Sequence, residues 1–113
     1  MDPELTLLYD YYGELLTQRQ RLCFDLRYNQ DFSLGEIAQE LKISRQAVYD
    51  NLNRAEALLR NMEEKTACVR RDRACRKAME ELSAQAEKLA ADPDESVAAA
   101  ARQMLSVIAD LEE

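Results

Sequence analysis

A chain of 113 residues with 47% apolar side chains has material for one modest core and lies outside the range of disordered sequences. Two glycines and two prolines are too few for the turns of a β-sandwich or barrel, so the composition predicts an all-α fold. The net charge is −7, and the absence of histidine removes the commonest general base and metal ligand, which argues against an enzyme and for a binding protein.

Cys23, Cys68 and Cys75 are odd in number and lack a Cys-x-x-Cys spacing. They are expected as reduced thiols, with no disulfide framework, metal site or cofactor. No apolar run approaches the ~20 residues that span a bilayer, and the opening Met1–Asp2–Pro3–Glu4 is acidic, the wrong sign for an export signal. A soluble cytoplasmic protein without membrane insertion is expected.

In chain order, Asp2 followed by Pro3 predicts an N-cap and first helical turn, and Leu5, Leu8, Tyr9, Tyr12, Leu15 and Leu16 carry helix 1 over about residues 3–16. Tyr9, Tyr11, Tyr12 and Phe24 are read as packing helix 1 on helix 2, the alternative being a platform for stacked bases. Thr17-x-x-Gln20 is a capping box that opens helix 2, which runs to about Tyr28. Ser33-x-x-Glu36 is a second box, opening a short helix 3 with Leu34, Ile37, Ala38 and Leu41 inward. Ser44 caps helix 4.

Helix 4 carries Val48, Leu52, Ala55, Leu59, Met62, Thr66 and Val69 at alternating steps of four and three, the seam of a coiled-coil-like contact. That seam fails at Arg73 and Arg76, which predicts a kink or break near residues 70–74. A new seam follows at Cys75, Met79, Leu82, Ala86 and Leu89. Asp92 is predicted to cap the last helix, whose seam is Val97, Ala101, Met104, Ile108 and Leu111. The expected organisation is a head over residues 1–66 and a helical tail over residues 67–113, one continuous unit. The unpaired seams, with Leu59, Met62, Val69, Met104 and Ile108 at their centre, predict a homodimer.

Charge is distributed unevenly. Residues 1–43 are net −4, residues 44–77 are net +4, and residues 78–113 are net −7. A nucleic acid would have to meet the middle segment and avoid both ends.

Short helix, tight turn and long helix, with Ala38, Leu41, Ile43 and Val48 apolar, is the spacing of a helix-turn-helix. Ala38 is small where the second helix crosses, and the crossing projects the start of helix 4 outward. Ser44, Arg45, Gln46, Tyr49 and Asn53 are therefore the candidate groove contacts, since Arg, Gln and Asn match base edges. Arg19, Arg21 and Arg54 are candidate phosphate contacts. Against this reading, Asp50 shares the outward face and would repel phosphates. Lys42 also stands at an elbow position where glycine is frequent.

The stretches Leu16-Thr17-Gln18-Arg19-Gln20-Arg21, Ser33-Leu34-Gly35-Glu36-Ile37-Ala38 and Ile43-Ser44-Arg45-Gln46-Ala47-Val48 resemble region 4 of bacterial sigma factors. The match covers about residues 16–60 and concerns that region alone. With its tyrosine-rich first helix and acidic helical tail, the chain resembles the small YlxM-type helix-turn-helix family, encoded beside the signal recognition particle GTPase. The resemblance implies a regulator that binds double-stranded DNA, or an adaptor acting on the signal recognition particle RNA or GTPase through the tail. The basic stretch Arg70, Arg71, Arg73, Arg76 and Lys77 stays open to two readings. It meets an RNA backbone or acidic partner, or it pairs with the acidic residues of 78–113.

Overall fold

The computed structural model describes residues 2–112, and every regular element among them is helical. The helices are α1 (Pro3–Tyr12), α2 (Gln18–Phe24), α3 (Leu34–Leu41), α4 (Arg45–Thr66), α5 (Cys68–Ala90) and α6 (Glu95–Leu111). None is long and apolar enough to cross a membrane. The chain divides into two compact units, one ending at Val69 and the other beginning at Arg70.

Local hydrogen bonds at the helix starts follow the residue types. Asp2 Oδ1 accepts the Glu4 N–H at 2.9 Å, and the Ser44 hydroxyl accepts the Ala47 N–H at 3.0 Å. Thr17 and Gln20 form a reciprocal capping box, as do Ser33 and Glu36. Each box satisfies two of the donors that a helix start leaves open.

Helix ends depart from the sequence expectation in four places. The first helix stops at Tyr12 and continues as one 3-10 turn over Gly13–Leu15, where an added Cβ at Gly13 would stand 3.1 Å from the Tyr9 ring. The second helix ends at Phe24 and widens into a π turn over Asp25–Asn29. The Asp25 carboxylate stabilises that turn by accepting from Asn29 Nδ2 at 2.7 Å and from Gln30 Nε2 at 3.1 Å. The long helix breaks at Ala67 (φ 54°), before the expected 70–74. The last helix is capped by Asp94, not Asp92. The Asp92 N–H still bonds Leu89 O in the closing turn of α5, while Asp94 Oδ1 accepts the Ser96 N–H at 2.9 Å.

The break at Ala67 has a hydrogen-bonded cause that no apolar seam reveals. The buried Tyr12 hydroxyl donates to Glu63 Oε1 at 2.7 Å and lies 2.6 Å from Thr66 Oγ1. Glu63 Oε1 also accepts the Val69 N–H at 3.0 Å, so one carboxylate ends α4 and serves the first turn of α5. Ala67 closes the end in the left-handed region, with its N–H on Glu63 O at 2.8 Å.

The core of the first unit is organised along α4, whose buried stripe is Val48, Leu52, Ala55 and Leu59. Its first half meets Cys23, Ile37 and Ala38; its second half meets Leu5, Leu8, Tyr12, Leu16, Phe24 and Val69. The Tyr9 and Phe24 rings stack at 4.3 Å, and Tyr28 leans on Phe24 at 4.6 Å. Phe24 is fully buried, so this aromatic cluster is packing between helices.

Burial corrects the expected dimer seam. Leu59 and Val69 are fully covered within the first unit, and Met62 packs half-buried against the same cluster. These three side chains already have their apolar partners in the same chain. Met104 and Ile108 lie in the second unit, on α6.

Leu59→Ala should remove buried methyl groups from this core and cost about 2–5 kcal/mol, read by urea unfolding. Alkaline pH should weaken the same core. Burial raises the Tyr12 pKa above its ordinary value; the Thr66 hydrogen bond opposes the shift, and Glu63 and Cys68 reinforce it. Burial likewise raises Tyr28 and Cys23. The folded state thus holds these protons more tightly than the unfolded chain. Their stabilisation is intact below the unfolded-state values, about pH 8.5 for the thiol and 10 for the phenols, and is lost as pH rises through the folded-state values. Melting temperature should fall across that range. Tyr12→Phe should flatten part of the fall, while costing about 1–3 kcal/mol at neutral pH because Glu63 loses a donor.

Candidate nucleic-acid interface

The candidate interface is built on the elbow between α3 and α4. Ser33 fixes the start of α3, and its inward Ile37 and Ala38 pack on Val48 and Leu52 of α4. The Ile43 N–H bonds Ala38 O at 3.0 Å across the turn. Lys42 takes the left-handed conformation (φ 58°, ψ 47°) that ends α3, with its N–H also on Ala38 O. A lysine accepts this conformation only because hydrophobic packing on both sides of the turn fixes the chain path. Ser44 then caps α4 and sets the direction in which its first turns leave the elbow.

Arg45, Gln46, Tyr49 and Asn53 are all exposed, Tyr49 by 52%. At ~100° per residue they fall within one arc of about 100°, beside the buried stripe. From Arg45 to Asn53 the helix rises about 12 Å, close to the width of a major groove. Arg54 is exposed but lies about 80° outside that arc. Arg19 and Arg21 are exposed on α2, two residues apart and hence on different sides of that helix. Arg21 lines a shallow cleft with Tyr9, Leu16, Gln18, Leu22 and Asp25.

Two members of the arc are engaged with other protein groups. The Arg45 guanidinium folds back over the start of α3, where a Cβ added to Gly35 would stand 2.9 Å from Nη2. Gly35 thus provides the space in which Arg45 rests. Gln46 Nε2 donates to Asp50 Oδ1 at 3.0 Å, one helical turn on. Asp50, a repulsive element when read from the sequence alone, orients the Gln46 amide and leaves its carbonyl oxygen and second N–H outward. Behind them the Asn51 side chain bonds Ala47 O at 2.8 Å and stays with the helix backbone. The Gly35 and Asp50 roles escaped the sequence reading. A glycine facing the first residue of the next helix, and an i,i+4 Gln–Asp pair, are the signals that carry them.

The remaining candidates lie elsewhere. Arg70, Arg71, Arg73, Arg76 and Lys77 are exposed on α5, in the second unit. No group of three or more potential metal ligands occurs among the described residues.

The arrangement agrees with known proteins. The model of the UPF0122 family, described as "putative helix-turn-helix protein, YlxM / p13 like", matches residues 2–97. A UPF0122 protein of Thermoanaerobacter sp. (strain X514) is 57% identical over 67 residues, 59% of this chain and 57% of that protein. One from Caldanaerobacter subterraneus subsp. tengcongensis is 50% identical over 78 residues, 69% of this chain and 67% of that protein. One from Listeria innocua is 44% identical over 84 residues, 74% of this chain and 76% of that protein. The chain therefore spans little more than half the length of the Thermoanaerobacter relative.

Gly35→Ala tests the packing of Arg45. The clash falls on the far end of a flexible side chain, so the fold should persist with stability within about 1 kcal/mol of wild type. The guanidinium should leave its resting place, visible as a change in Arg45 side-chain NMR shifts. Lys42→Gly should relieve the left-handed backbone and stabilise by up to about 1 kcal/mol in thermal unfolding.

Proposed function

The chain belongs to the UPF0122 family of helix-turn-helix proteins, and from that membership and the elbow geometry we propose that it is a regulator that binds double-stranded DNA through α4. The observation that carries the proposal is the exposed arc of Arg45, Gln46, Tyr49 and Asn53 on the helix that follows a packed elbow. Arg45 swings from Gly35 to a guanine edge, where its two-pronged donor geometry matches O6 and N7. The Gln46 amide, oriented by Asp50, and Asn53 read neighbouring bases, and Tyr49 packs on the groove wall. The N–H groups at the Ser44 end of α4, with Arg19, Arg21 and Arg54, take the phosphates.

The acidic balance supports selectivity over bulk affinity. A net charge of −7 weakens non-specific attraction to a polyanion, so binding depends on the few positive groups of the elbow.

Selection from a random duplex library at low salt, followed by fluorescence anisotropy, tests the reading. An enriched sequence should bind with an affinity that falls steeply with salt. Arg45→Ala should cost about 1–3 kcal/mol and relax preference at one base pair. Failure to enrich any sequence, or an unchanged affinity for Arg45→Ala, would overturn the DNA-binding role.

A further inference from the structure

The second unit is a helical hairpin that leaves several large apolar side chains exposed. Among the described residues of this unit only Ala86, Ala98 and Ala101 are buried, and Met79, Val97, Leu105 and Ile108 are half-buried. Leu82, Leu89, Met104 and Val107 remain between 44% and 60% exposed. With Ala86 and Ile108 they line an open apolar groove of about 400 Å³, edged by Gln85 and Gln103.

We propose that this groove is the interface with a second copy of the chain, and that two hairpins pair antiparallel across a two-fold axis through its midpoint. The area suits a second copy. By their fractional exposures, these four side chains and Leu111, the next apolar position on α6, present roughly 500 Å² of surface per copy. Two-fold pairing covers both faces at once, about 1,000 Å², which is the lower bound of a specific interface. An interface built on itself also needs no further chain, since the same patch serves twice.

Charge sets the orientation. Arg76 and Lys77 lie on the α5 side of the groove midpoint, and Asp92, Asp94 and Glu95 lie at the turn between the helices. At 1.5 Å per residue, each set stands about 10–14 Å from that midpoint. Arg76 lies beside Glu80 and Glu112, so that end of the hairpin is mixed in charge, and antiparallel pairing brings its Arg76 and Lys77 to the acidic turn of the other copy, twice. Parallel pairing would set acidic turn on acidic turn, which costs energy at that end. The product is a four-helix bundle of two hairpins, the packing in which apolar helix faces close around one core.

Sedimentation velocity of the full chain, from low to high micromolar concentration, tests the association. Wild type should sediment as a dimer. Val107→Glu should sediment as a monomer with unchanged helicity by circular dichroism, because this side chain is exposed within its own chain. A wild-type monomer at high micromolar concentration would overturn the proposal and leave the groove to a different protein, and so would a Val107→Glu dimer.

A short bis-maleimide then reads the orientation in a Cys68→Ser background, where Cys23 is buried and Cys75 is exposed. Within one chain, Cys75 and residue 96 lie toward opposite ends of the hairpin, about 20 Å or more apart. Ser96→Cys should link to Cys75 of the other copy and give a covalent dimer, whereas Cys75 alone should give none. Efficient cross-linking through Cys75 alone would mean parallel pairing and overturn the antiparallel interface.

Discussion

Burial of one stripe on α4 is the constraint on which the first unit depends. Val48, Leu52, Ala55 and Leu59 are buried along a single helix, and they belong to two different clusters. The first half of the stripe closes the elbow with α3. The second half receives α1 and α2. The helix that presents the candidate groove contacts is therefore also the spine of the core. A loss of packing at Leu59 weakens the support of Arg45 and Gln46 at the other end of the same helix. The proposed base reading would draw its rigidity from this arrangement, because α4 cannot tilt without disturbing both clusters.

The far end of that spine is fixed by polar chemistry. Tyr12, Glu63 and Thr66 meet where α4 ends, and Glu63 extends the bonding to the Val69 N–H. A buried phenol with satisfied partners determines where the helix stops in a way that apolar contacts cannot, because hydrogen bonds depend on direction. The left-handed Ala67 is the backbone consequence. Lys42 repeats the pattern at the elbow, where packing again holds a non-glycine residue at positive φ. Both turns thus hold conformations that their own residue types disfavour, and tertiary contacts supply the compensation.

The same acidic chain uses its charges in distinct ways. Asp50 orients a glutamine, Asp25 holds a π turn, and Glu63 joins two helices. Asp2 caps α1 and also pairs with Arg60 of α4 at 3.0 Å. Arg60 and the Glu4 N–H hold the Asp2 carboxyl below its usual range. Net charge governs the long-range approach of a polyanion, but these short contacts set the local positions of the groups that would meet it.

The sequence by itself determined the all-helical class, the capping residues Asp2, Thr17, Ser33 and Ser44, and the elbow between the third and fourth helices. Those features rest on interactions within four residues, which spacing and residue type define. It also showed which residues of α4 point outward, because helical periodicity separates them from the buried stripe. Tertiary structure alone decided the ends and the partners. The break at Ala67 depends on Tyr12, 51 residues before Glu63 in the chain. Leu59 and Val69 have the spacing of an intermolecular seam, and only the folded chain shows α1 and α2 already covering them. Arg45 reads as a free cation until Gly35 is seen beneath it. In each case an apolar period or a charge fixes what a side chain needs, and the path of the chain decides which residue supplies it.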